Sequence, residues 1–338
     1  MSVTLYRTPG TRPSPLDDFL GWLLSYPKFY TEGWGDLGLI GEVARRFADL
    51  TLAPKAIDIK WTALPQTEHG VTRTSGYFQT PVRALPLPAE ARAAYFDLLL
   101  PEGASPTLRP PVCIHLAATA ESSMLWRRKV ARGLVRRGIG ALILENPYYG
   151  RRRPRHQIGS AVRSVADQLM MNYATVQESR SLLTWLREYG YEHLGITGYS
   201  MGGFMTAYVG ATYPGPVALI PCATGVSASS VYTQSALRSF PDWRALGGPD
   251  RARAHRELAM LYERFAVDLL PRPYDPDLAI LVANRNDSIV APREARALAR
   301  YWGCELRWIP GGHFSSYVLR TRAMQEAVLD AFGTVMVR

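Results

Sequence analysis

From residue 110 to residue 332 the chain alternates short apolar runs with amphipathic stretches, and this rhythm constrains its fold more than any other feature. "PPVCIHLAA" gives way to the helix-like "SMLWRRKVARGLVRRG", then "IGALILEN" follows, and "ATVQESRSLLTWLREYG" leads into "HLGITGYS". The rhythm resumes with "PVALIPCA", "LAILVANRND", "PREARALARYWG" and "CELRWIPGG", and closes on "AMQEAVLDAF". Apolar runs of strand length alternating with helices are parallel strands joined by crossovers, so the predicted class is α/β, a mostly parallel central sheet flanked by helices. Upstream, "YFQTPV" and "AAYFDLLLP" read as strands separated by the proline-rich "RALPLPAE", which starts the sheet antiparallel.

Residues 1–66 read as a helical N-terminal extension, with "LGLIGEVARRFADL" apolar at helical spacing, and residues 67–338 as one α/β domain. A helix-leaning insert at about 225–272 interrupts the domain as a small cap. With 338 residues, 47% of them hydrophobic, the chain can build a large core. Its net charge of +10 comes from arginines scattered among acids, and no zinc-finger spacing or other nucleic-acid module accompanies it, so nucleic acid is not an expected partner. Cys113, Cys222 and Cys304 are far apart, odd in number and form no C-x-x-C, which points to neither a disulfide framework nor a metal cluster. No signal peptide or membrane-spanning run is predicted, and the expected location is cytoplasmic. "FLGWLLSY", which follows Asp17 and Asp18, reads as a short buried helix, with peripheral contact to a membrane surface as the alternative. No metal or cofactor is expected, and the oligomeric state cannot be read from the sequence.

In an open parallel sheet the ligand site forms at the carboxyl ends of the strands. One such end carries "GYSMG", a G-x-S-x-G placing Ser200 between Gly198 and Gly202 where strand turns to helix. A serine hydroxyl needs a base to take its proton, and "RWIPGGHFSSY" supplies His313 after the last strand. "ILVANRNDSIVAPREA" supplies Asp287 after the strand before it. Each of the three has an ordinary structural reading as a tight turn, a turn residue or an N-cap. Their order along the chain, Ser then Asp then His, at three expected strand ends favours catalysis. The Met201 amide at the helix start and an amide of the loop 117–122, Thr119 with Ala118 as competitor, are the candidate oxyanion donors.

Other strand-end residues are weaker candidates. His115 reads as a hydrogen-bonded core histidine. Glu145 and Asn146 either shape the pocket floor or satisfy backbone groups. In "YYGRRRPRH", Tyr148 and the run Arg151, Arg152 and Arg153 are candidates to bind an anionic substrate or phospholipid headgroup.

The segments "EGWG", "PVCIHLAAT", "LWRRK", "LILENPYYGRRRP", "LGITGYSMGG", "LIPC" and "GCELRWIPGGHFSSYV" together resemble the α/β-hydrolase family of abhydrolase domain-containing protein eighteen, over most of the chain. The resemblance implies an α/β-hydrolase fold, Ser200, Asp287 and His313 as the triad, and hydrolysis of lipid or other acyl esters. The sequence departs from the family in two places. Where members usually read Gly-Thr-Gly, this chain has Ala118, Thr119 and Ala120, so any left-handed residue there carries a Cβ. Its insert is also shorter than in animal members. The expected activity is a serine hydrolase of carboxylic esters or thioesters. The alternatives are a prolyl-oligopeptidase-like serine peptidase, because "GYSMGGFMTA" resembles the elbow of those enzymes, and a non-catalytic binding protein on the same fold.

Overall fold

The structure is a computed structural model and describes residues 14–23, 26–49, 53–104 and 109–337. Its sheet contains β1 (Lys60–Trp61), β2 (Gln66–Glu68), β3 (Val71–Gln79), β4 (Ala93–Pro101), β5 (Val112–Leu116), β6 (Gly140–Leu144), β7 (Leu194–Tyr199), β8 (Ala218–Cys222), β9 (Ile280–Asn284) and β10 (Glu305–Ile309). The strand order is β1-β3-β4-β6-β5-β7-β8-β9-β10, with β2 paired to β3. β3 and β4 are antiparallel to their neighbours, and every pairing from β6 to β10 is parallel. This is the α/β-hydrolase arrangement, with the antiparallel start that the sequence predicts. Every residue of β5 to β9 is buried, because helices cover both faces, and this is why those strands read as unbroken apolar runs rather than alternations.

Eleven helices accompany the described strands: α1 (Pro15–Leu23), α2 (Leu37–Ala48), α3 (Leu125–Val135), α4 (Val165–Glu188), α5 (Met201–Thr212), α6 (Ser229–Thr233), α7 (Trp243–Gly247), α8 (Arg251–Glu263), α9 (Pro292–Trp302), α10 (His313–Leu319) and α11 (Thr321–Met336). Alternate residues of β5, β7, β8 and β9 divide between two cores. Ile114, Ile196, Leu219 and Leu281 face α2, α4, α5 and α9, whereas Cys113, Ile220 and Val282 face α11. Among the described residues, no helix is long and apolar enough to cross a membrane.

The N-terminal segment differs from the expectation of a plain helical extension. Residues 1–13 lie outside the described residues, α1 and α2 are helices as read, and β1 joins the sheet edge on β3. α1 also inverts the expected burial: Phe19 is 56% exposed and Leu16 46%, while Asp17 is completely buried. Residues 24 and 25 of "FLGWLLSY" lie outside the described residues. Further on, "EGWG" threads between the insert and the start of α4. The Trp34 indole donates to Leu246 O at 2.8 Å, and Val165 N and Ala166 N donate to Gly33 O and Trp34 O. Gly33 and Gly35 both have left-handed φ, and a Cβ at Gly33 would stand 2.6 Å from Ala245 O. Only glycine fits there.

Candidate active site

Ser200 lies between the end of β7 and the first turn of α5, with φ 55° and ψ −116°. A side chain in this region is strained and persists only where its surroundings enforce it. The flanking glycines create that constraint. A Cβ at Gly198 would lie 2.5 Å from Gly202 carbonyl atoms, and one at Gly202 would lie 2.8 Å from both Leu116 O and Ala117 O. Strand, turn, helix and the loop after β5 thus meet with no room for a methyl group. The turn is also anchored by Ser200 N donating to Cys222 O at 2.9 Å.

β10 is followed by Pro310, Gly311 and Gly312, and His313 opens α10. The imidazole Nδ1 lies 2.8 Å from Asp287 Oδ2 and 3.1 Å from Oδ1, and both side chains are almost fully buried. The carboxylate is held in turn. Ile289 N and Val290 N donate to Oδ1 at 2.9 and 2.8 Å, and Asn284 Nδ2 donates to Oδ2 at 2.6 Å. The same Asn284 amide donates to the Tyr199 hydroxyl at 2.8 Å, and Tyr199 donates to His313 O at 2.6 Å. Burial, followed by the nearby Asp287, pushes the Tyr199 phenol well above its ordinary pKa, so it stays a neutral donor. Its ring sits edge-on to the imidazole, 5.1 Å between centroids. The residue next to Ser200 therefore fixes the backbone and the ring of His313. The Ser200 hydroxyl itself makes no hydrogen bond to the imidazole in this arrangement.

The loop after β5 is tied at Ala118, one of its two candidate donors, and at Ala120 beyond them. Ala118 N donates to Glu121 Oε2 at 3.1 Å, and Glu121 pairs with Arg127 at 2.8 Å. Ala120 N donates to the Tyr149 hydroxyl at 3.2 Å, while Ala120 O accepts from Ser160. Ala120 has φ 65°, the left-handed residue anticipated from the missing glycine. Between them, Thr119 N has no acceptor among the described residues, and Thr119 lines a cavity with Ser200 and Met201. The cavity is partly open and holds about 50 Å³, with Phe47 of α2 and Tyr232, Tyr262 and Phe265 of the insert around it. Its walls are apolar apart from a few hydroxyl and amide groups.

Residues 27–259 and 249–334 match the alpha/beta hydrolase domain containing 18 family. The chain belongs to this family. Among solved structures, an acetyl xylan esterase from Paenibacillus sp. R4 is similar at TM-score 0.58 and 11% identity, over 93% of this chain and 98% of that one. Acetyl xylan esterase 1 from Thermoanaerobacterium sp. JW/SL YS485 is similar at TM-score 0.54 and 16% identity, over 90% and 98%. A putative dipeptidyl aminopeptidase IV from Bacteroides ovatus is similar at TM-score 0.51 and 12% identity, over 80% of this chain but only 36% of that one. At these identities the likeness is one of fold.

Within this alpha/beta hydrolase domain containing 18 chain, the basic run is not one surface. Arg152 is completely buried, paired with Glu178 at 2.6 and 2.8 Å, and donates to Glu145 O and Ala91 O. It is a structural cation: its two terminal nitrogens are spent inside the protein and its Nε is buried without a partner, so none is presented to an anionic substrate. Arg151 pairs with Glu145 and lies over the Tyr95 ring, Arg153 is exposed, and none of the three lines the cavity beside Ser200. Tyr148 is buried and donates to Asp167 at 3.0 Å, also away from that cavity. Glu145 and Asn146 satisfy the loop that follows β6 and the Thr175 hydroxyl. His115 is buried and neutral, pushed down to about 3 by burial and then by Arg127. Sequence reasoning missed Tyr199, Asn284 and Asp17, whose partners lie up to 296 residues away.

Proposed function

We propose that this protein is a serine hydrolase of carboxylic esters or thioesters, working through an acyl-enzyme with Ser200 as nucleophile, His313 as base and Asp287 as its orienter. The observation that carries this reading is the buried Asp287–His313 pair, 2.8 Å apart, beside a serine held in a strained turn at the mouth of an apolar cavity. With Nδ1–H donating to Asp287, Nε2 is left free to accept a proton. The reading requires Ser200 Oγ to come within hydrogen-bond reach of Nε2 when substrate is bound. Such contacts commonly tighten only in the complex.

Ser200 Oγ then bonds to the acyl carbon as its proton passes to Nε2. The negative charge on the carbonyl oxygen is received by the Met201 and Thr119 amides. The imidazolium returns the proton to the departing alkoxide or thiolate as the carbon–leaving group bond breaks. Water repeats the sequence and frees Ser200. The partly open cavity beside Ser200 has about 50 Å³ of space between apolar walls, room for a few heavy atoms, so short acyl groups are the expected substrates. The test is hydrolysis of a p-nitrophenyl ester series together with fluorophosphonate labelling. Wild type is expected to label and to prefer short chains, and Ser200→Ala to do neither. Cleavage of peptide anilides in preference to esters would favour a peptidase. A wild type that neither labels nor turns over would favour a binding protein.

A further inference from the structure

The Asp17 carboxylate is completely buried and receives four donors from the far end of the chain. His313 N donates to Oδ2 at 2.5 Å and Phe314 N to Oδ1 at 3.0 Å. Ser288, the residue after Asp287, donates to Oδ2 through its hydroxyl at 3.3 Å and its amide at 3.5 Å. One side chain on α1 therefore grips both segments that carry the acid and the base of the candidate triad. It also accounts for the Gly-Gly before His313. Gly311 has φ 117°, and a Cβ on Gly312 would stand 2.4 Å from Asp17 Oδ2.

We infer that Asp17 is a positioning residue for the His313 imidazole, fixing its backbone from α1 and placing a second negative charge behind it. The inference rests on the hydrolase reading for its kinetic consequence but not for its physical one. A helix cap is normally supplied by a neutral or exposed side chain next to the helix in sequence. Here the N-cap position is Gly312, which has no side chain, and the carboxylate comes from 296 residues away. Burial raises the Asp17 pKa, as does the nearby Asp287, while the two backbone donors and His313 act against this. The groups facing the Asp17 carboxylate are His313 of α10, Asp287 with Ser288 of the loop after β9, and the Tyr199 phenol at the end of β7. Asp18 on α1 and Arg238 on the short turn packed against α1 are exposed.

A negative charge near the imidazolium formed during turnover stabilises it, so removing the charge slows the step in which the imidazole takes the proton. The experiment compares Asp17→Asn, Asp17→Ala and the exposed control Asp18→Asn by the downfield Nδ1–H proton signal of His313, assigned from its loss in His313→Gln, and by kcat and KM for p-nitrophenyl acetate. In Asp17→Asn that signal is expected to move or broaden, and kcat to fall roughly tenfold with KM little changed. Asp18→Asn should match wild type. An Asp17→Asn protein whose His313 signal matches wild type would overturn the inference, and so would loss of folding in both Asp17 variants, which would make the residue a structural cap alone. Should wild type show no turnover, the hydrolase reading fails while the proton signal still decides the role of Asp17.

Discussion

Replacing Ser200 by glycine and by alanine separates strain from chemistry at the same atom. Both variants lose the hydroxyl, so neither should hydrolyse ester. Alanine keeps a Cβ at φ 55° and ψ −116°, whereas glycine adopts that conformation freely. A side chain in this region costs about 1–3 kcal/mol. Glycine gives back roughly 0.5–1 kcal/mol through the greater freedom of the unfolded chain. The net expectation is that Ser200→Gly is more stable than Ser200→Ala by about 0.5–2 kcal/mol. For a chain of 338 residues, at about 2.1 cal/mol/K per residue, each kcal/mol moves Tm by about 1.4 °C. The glycine variant should therefore melt about 1–3 °C above the alanine variant, and its urea midpoint should be higher with an unchanged slope. Equal stability, or a less stable glycine variant, would show that the turn holds no strain at the serine and refute the argument.

Three further outcomes follow from the described contacts. Ala120→Gly removes a Cβ from a left-handed residue and should raise stability by up to about 1 kcal/mol in chemical denaturation, without loss of esterase activity. Arg152→Ala strands a buried Glu178 and should cost about 3–5 kcal/mol, while Arg153→Ala, at an exposed position, should stay within about 0.5 kcal/mol by the same measurement. His115 is held neutral with its pKa depressed to about 3, so the folded state binds less proton than the unfolded one between that value and 6.5. Its contribution is complete above pH 6.5 and is lost as the pH falls toward 3, and in His115→Gln the urea-derived stability should decline less steeply across this window, by up to about 1.4 kcal/mol per pH unit.

The parallel strands were legible because burial on both faces writes them as apolar runs. β4 matches "AAYFDLLLP" end to end, and β5 to β10 each lie inside the run read for them. α4 begins at Val165, well before the amphipathic stretch from 174, because its first turns are buried almost all round and show no helical periodicity. β1 and β2 are short and exposed, so they carry no apolar signal. The positions of Ser200, Asp287 and His313 at strand ends followed from the alternation alone. What surrounds them did not. Nothing in "YYGRRRPRH" distinguishes the inward-pointing Arg152 from its neighbours, and α1 reads as an apolar segment although among its described side chains the acid Asp17 is completely buried. Asn284 and Tyr199 lie on strands, where an isolated polar side chain looks like ordinary core until the partner strand is in place.

Phe29 exchanges backbone hydrogen bonds with Phe240 and Asp242, and Tyr30 meets Tyr262 hydroxyl to hydroxyl at 2.9 Å. The leading segment and the insert are thus sewn together over the same apolar chamber. Anyone shortening this molecule from its front end as though trimming a leader would be pulling out half of a ceiling. Cuts placed beyond residue 30 should yield aggregates, and transplanting the insert alone into a relative should carry no selectivity with it unless the opposing leading segment travels along.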